Sequence, residues 1–84
     1  MFIYRIKSYG VEFMYKTEEE AISHVIASLE RDRQSYEKGN FICEPIRKRK
    51  VKDKRPGQKI EYYFFHTRNG VRGQSVASYR ILEI

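Results

Sequence analysis

The dipeptide Asn69-Gly70 does more than any other feature to limit what this chain can fold into. It sits between two strand-like runs, KIEYYFFHTR over residues 59–68 and VRGQSVASYRILEI over residues 71–84. Asn-Gly accepts the pair of positive φ angles of a type I′ turn, whose twist matches that of two antiparallel strands. If these two residues make the whole turn, Arg68 pairs with Val71 and the register is set to the ends of both runs. Ile60, Tyr62 and Phe64 then share a face with Tyr79, Ala77 and Ser75, a set with the character of a core. The other face carries Lys59, Glu61, Tyr63, Phe65 and Thr67 beside Arg80, Ser78, Val76, Gln74 and Arg72. A one-residue bulge would exchange the two faces, and Gly73 is a natural site for one.

The rest of the chain supplies partners for this hairpin. Residues 2–8 alternate, with Phe2, Tyr4 and Ile6 on one side and Ile3, Arg5 and Lys7 on the other. Val11, Phe13 and Tyr15 alternate again after Tyr9-Gly10, and a turn there sets Ile6 opposite Phe13 and Tyr4 opposite Tyr15. A helix is expected from Glu18 to Lys38. Thr17 and Glu20 have the spacing of a capping box, Glu18 and Glu19 suit the positive end of the dipole, and Gly39-Asn40 suits the C-terminal cap. Ala21, Ile22, Val25, Ile26, Leu29 and Tyr36 form its apolar stripe. FICEPIRKRKVK, residues 41–52, reads as a further strand in which Pro45 marks an edge or a bulge, and Pro56-Gly57 turns the chain into the long hairpin. The expected fold class is α+β, a single domain over residues 1–84 in the order β-β-α-β-β-β. One helix packs on a largely antiparallel five-stranded sheet, with a basic hairpin arm at about residues 46–59. Strand order is not legible from these patterns.

Charge is distributed unevenly. The chain carries 17 Lys and Arg against 11 Asp and Glu, a formal net charge of +6. Residues 47–55 hold seven of the cations and one of the acids, so the remaining ten and ten cancel and the whole excess lies in that segment. Arg47, Lys48, Arg49, Lys50, Lys52, Lys54 and Arg55 form a block suited to phosphates and to the release of their counterions. If the block is extended, Arg47 and Arg49 lie on one face and Lys48, Lys50 and Lys52 on the other. The competing reading is a solvated hairpin tip whose lysines keep a sheet edge soluble.

Other residues with chemical potential are few. Tyr63 and Phe65 on an outward face are placed to stack bases, with Lys59, Arg72 and Arg80 contacting phosphates beside them; equally, YYFF is packing on both sides, or a protein interface. His24 falls off the helical stripe and is expected at the surface. His66, Arg68, Arg72 and Tyr63 are the one set that would serve a small ribonuclease, as acid or base and as phosphate stabilisers. Cys43 has no evident base and reads as a partly buried thiol. Cys43, His24 and His66 lack metal-ligand spacing, and GVRGQS has the glycines of a turn rather than a phosphate-binding or dinucleotide fingerprint, so no metal or cofactor is expected. No apolar run approaches the roughly 18 residues that span a bilayer, and the N-terminus reads as a strand rather than a leader, so no membrane partner is expected and the cytoplasm (a host's, for a viral protein) is the expected location.

These features point to a small non-enzymatic nucleic-acid-binding protein that contacts the phosphate backbone through its basic hairpin. The alternative is a protein-interaction module, an inhibitor or adaptor docking the basic arm and aromatic face on an acidic partner. In general character, though by no motif, the chain resembles small accessory proteins of phages and mobile elements. A homodimer would cover some of the open sheet.

Overall fold

A computed structural model describes all of residues 1–84. Its elements are β1 (Phe2–Ser8), β2 (Val11–Tyr15), α1 (Glu18–Lys38), β3 (Ile42–Cys43), β4 (Arg47–Val51), β5 (Gln58–Arg68) and β6 (Val71–Glu83). Both short turns take positive φ at both residues: 51° and 77° at Tyr9-Gly10, 52° and 76° at Asn69-Gly70. These turns set the registers read from the sequence. Tyr4 lies opposite Tyr15 and Ile6 opposite Phe13, while β5 and β6 stay in one register from Arg68–Val71 back to Gln58–Ile81.

The sheet runs β2-β1-β6-β5-β3, with β4 also paired to β5. The strand expected over residues 41–52 is divided at Pro45, which gives six strands rather than five. Cys43 lies opposite His66 and Arg47 opposite Tyr63. The Glu44 N–H donates to the Phe65 carbonyl at 2.8 Å, so Pro45 and Ile46 together face the single Phe64. Pro45 has no N–H for the ladder, and a bulge at an edge is where that loss is tolerated.

Helix α1 starts at Thr17, whose hydroxyl oxygen accepts from the Glu20 N–H at 3.3 Å and donates to the Glu20 carboxylate at 2.8 Å. It ends in a Schellman motif. Asn40 takes φ 65°, its N–H reaches the Glu37 carbonyl, and the Phe41 N–H reaches the Tyr36 carbonyl. The accompanying apolar contact is Phe41 edge-on to Tyr36, centroids 4.9 Å apart.

Nine residues are buried, and the seven apolar ones (Ile6, Ala21, Val25, Leu29, Ile60, Phe64 and Tyr79) all lie between the helix and one sheet face. At the helix N-terminus the Tyr79 hydroxyl donates to Glu18 at 2.8 Å, and burial, reinforced by Glu18, pushes the Tyr79 phenol far above its ordinary value. The opposite sheet face has no helix over it, and it carries Arg47, Arg49, Lys59, Arg72 and Arg80. No helix is long and apolar enough to cross a membrane.

Candidate nucleic-acid interface

The basic hairpin is present, but it lies flush with the sheet as its edge. Arg47 and Arg49 stand opposite Tyr63 and Glu61 on the open face. Lys48 and Lys50 stand opposite Tyr62 and Ile60, on the helix side, and both are exposed. The loop 52–57 then folds back over the open face. Asp53 is its anchor, taking both terminal nitrogens of Arg80, Nη1 at 3.2 Å and Nη2 at 2.5 Å. Arg80 Nη1 also donates to the carbonyls of Pro56 at 3.2 Å and Gly57 at 3.4 Å. Asp53 turns the loop upon itself by accepting the Arg55 N–H at 3.0 Å. The Arg80 hydrogen bond holds the Asp53 carboxyl below its usual range, with the Arg55 N–H adding to the effect. Gly57 is required at the return. Its φ is 86°, and a Cβ there would lie 2.3 Å from the Ile81 carbonyl oxygen.

Arg80 is therefore buried beneath the loop that it organises. It acts on the surface through the loop's position rather than as an exposed phosphate contact of its own. The other cations divide into two groups. Arg47 and Arg72 share Glu44 at 3.5 and 3.0 Å, and Arg49 and Lys59 share Glu61 at 2.7 and 3.6 Å. Lys48, Lys50, Lys52, Lys54 and Arg55 have no carboxylate partner.

Tyr63 and Phe65 lie on the open face, as the hairpin register requires, but neither ring is bare. The Arg49 guanidinium carbon sits 4.3 Å over the Tyr63 ring, and that of Arg72 sits 3.8 Å over Phe65. The glutamates tie these guanidiniums down. Planar cations thus form the outer surface, with aromatic rings as their support.

The ribonuclease set does not come together. His66 is buried on the helix side, stacked on Tyr36 with centroids 3.8 Å apart, whereas Tyr63 and Arg72 are on the open face. Arg68 lies over Phe41, 5.6 Å from its centroid. Gly73 is no bulge; it pairs regularly with His66, and the His66 ring lies across it. His24 is half-buried instead of being a surface residue. Its Nδ1 shares a 2.7 Å hydrogen bond with the Tyr15 hydroxyl, and its ring packs edge-on to Phe13. The Cys43 thiol is partly buried near the Arg33 carbonyl, and burial, with Glu37 adding, raises it above its ordinary value. No group of three or more His, Cys, Asp or Glu side chains is placed to hold a metal ion.

The sequence reading missed the contribution of β1. Because β1 pairs with β6, Arg5 lies directly opposite Arg80, which lies directly opposite Lys59. With Lys7, Ser78 and Arg55 these three line a cleft of about 180 Å³ under the edge of the loop. The alternation that sends Arg5 and Lys7 away from Tyr4 and Ile6 was visible in the sequence, but not that β1 would sit beside β6. The chain matches no known protein family, curated protein or solved structure.

Proposed function

We propose that this protein binds nucleic acid through its phosphate backbone and catalyses no reaction on it. The observation that carries the reading is the set of five cations, Lys48, Lys50, Lys52, Lys54 and Arg55, that no carboxylate neutralises along one edge and its loop. An ion-paired cation must give up a partner before it meets a phosphate; these five need not. The guanidiniums over Tyr63 and Phe65 lie on the open face beside this edge and offer planes on which unstacked bases can lie.

Fluorescence anisotropy with labelled single-stranded DNA, duplex DNA and RNA, each titrated across a range of salt, tests this. Neutralising about five phosphates gives a log–log salt slope near −3.5 for single strands and near −4.5 for duplex. The triple variant Lys48→Glu, Lys50→Glu, Lys52→Glu is expected to abolish binding and keep the fold, because all three side chains are exposed and unpaired. Arg49 is a poorer target, since a glutamate there would face Glu61. A slope near zero would refute the reading. Weak and equal affinity for all three probes would turn the surface into a docking element for an acidic protein.

A further inference from the structure

We propose that the cleft between β1, β6, β5 and the loop 52–57 is a built subsite for one phosphate group of the bound strand. This rests on the nucleic-acid reading and adds a specific seat to a general surface. The cleft is lined by Arg5, Lys7, Arg55, Lys59 and Arg80, with the Ser78 hydroxyl among them. Asp53 pairs with Arg80 and Glu61 with Lys59, and Glu12 stands opposite Lys7 without forming an ion pair, so Arg5, Lys7 and Arg55 have no carboxylate in salt-bridge contact. Arg5, Arg80 and Lys59 are moreover direct cross-strand neighbours. Like charges placed opposite one another on a sheet disfavour folding, and an anion seated over them removes that repulsion.

The seat is pre-organised. Arg80 is buried and fixed by Asp53 and two carbonyls, so the floor is rigid. Asp53 holds the Arg55 N–H, so the roof is set by the same carboxylate. Arg5, Lys7, Arg55, Lys59 and Ser78 bring guanidinium, ammonium and hydroxyl donors from four segments to the lining of one cleft, donors that the oxygens of a phosphate accept. A terminal phosphate monoester carries about −1.5 to −2 and a backbone diester about −1; both present the same oxyanion chemistry.

The test is a titration of the 84-residue chain with inorganic phosphate at constant ionic strength, followed by amide chemical shifts. Saturable shifts confined to Arg5, Lys7, Arg55 and Ser78 are expected. They should vanish in Arg5→Gln/Lys7→Gln and persist in Lys48→Gln/Lys50→Gln, which removes the same charge from the edge. Oligonucleotide affinity should fall about tenfold or more in the cleft variant, beyond the loss in the edge variant. Arg5→Gln alone should keep or raise thermal stability while weakening phosphate binding, because it relieves the repulsion from Arg80. Oligonucleotides with 5′-phosphate and 5′-hydroxyl ends identify the source: tighter binding of the phosphorylated strand marks a strand end, and equal binding an internal diester. Unsaturable shifts spread along β4, or equal losses in the two double variants, would overturn the subsite while leaving backbone binding intact. Saturation by phosphate with no oligonucleotide binding would keep the subsite and overturn the nucleic-acid reading.

Discussion

Replacing Gly73 with alanine tests how the two layers fit together at the far end of the long hairpin. The added Cβ would lie 2.4 Å from His66 Cε1, 3.0 Å from Nδ1 and 3.3 Å from Nε2, well inside contact distance. The ring cannot retreat. Tyr36 stacks on it at 3.8 Å with the planes 13° apart, and Phe41 and Phe64 pack against its edges at 5.5 and 5.7 Å. Both ring nitrogens are buried without a hydrogen-bond partner, so packing alone positions the ring. Forcing a methyl into such a site costs about 1–3 kcal/mol. Alanine recovers about 0.5–1 kcal/mol of the backbone entropy that glycine loses in a strand. The net is a destabilisation of about 1–2 kcal/mol, or a Tm lower by roughly 4–16 °C for a domain of this size. Urea and thermal unfolding followed by circular dichroism measure it. The same substitution made in a His66→Ser background carries the diagnosis. With the ring gone the clash goes too, and Gly73→Ala is expected to become neutral or stabilising. A cost of the same size in both backgrounds, or a gain in the parent, would refute the packing account.

Three further outcomes follow from the contacts. The Asp53 carboxyl is held low by Arg80, so its anchoring of the loop is complete above the ordinary aspartate range near pH 4 and is lost as pH falls through the lowered value; proteolysis within residues 52–57 is expected to accelerate only in acid, and Asp53→Asn to accelerate it at neutral pH. Tyr79→Phe removes the hydrogen bond to Glu18 and should cost about 1.5–3 kcal/mol in chemical unfolding, as is usual for a partly buried bond to a charged group. Arg72→Ala uncovers Phe65 and breaks the pair with Glu44, yet the exposed pair and the cation–π contact together should contribute no more than about 1–2 kcal/mol, and single-strand affinity should fall more than stability does.

The parts of the fold that are local in sequence were legible. Tyr9-Gly10 and Asn69-Gly70 fix two registers because a two-residue turn leaves the flanking strands no other pairing, and Thr17 with Glu20 and Gly39 with Asn40 bound the helix within a few residues of its ends. Pro45 announced an edge or a bulge, and the fold uses both. What was hidden depends on contacts far apart in the chain. Gly73 as a bulge and Gly73 as room for a ring look identical in sequence; the choice is made by Tyr36, on the helix, pressing His66 onto the strand. Arg80 counts as one more surface cation until Asp53, 27 residues earlier, closes over it. His24 leaves the surface because the first hairpin folds Tyr15 and Phe13 against it.

The cleft follows from the same non-local pairing, and the distribution of acids around it bears on its purpose. On the open face two carboxylates each serve two cations, Glu44 for Arg47 and Arg72 and Glu61 for Arg49 and Lys59. Asp53 serves Arg80 and turns the loop with its remaining capacity. The acids thus suffice to hold the guanidiniums in place over Tyr63 and Phe65 and to close the loop, but not to neutralise the face. A face built only for solubility would need no such fixed orientation, since solvated lysines perform that task while mobile. Ordered cations in excess of their counterions, set on a rigid sheet with like charges adjacent, are unfavourable for the isolated chain, and on the proposed reading the polyanion removes that cost.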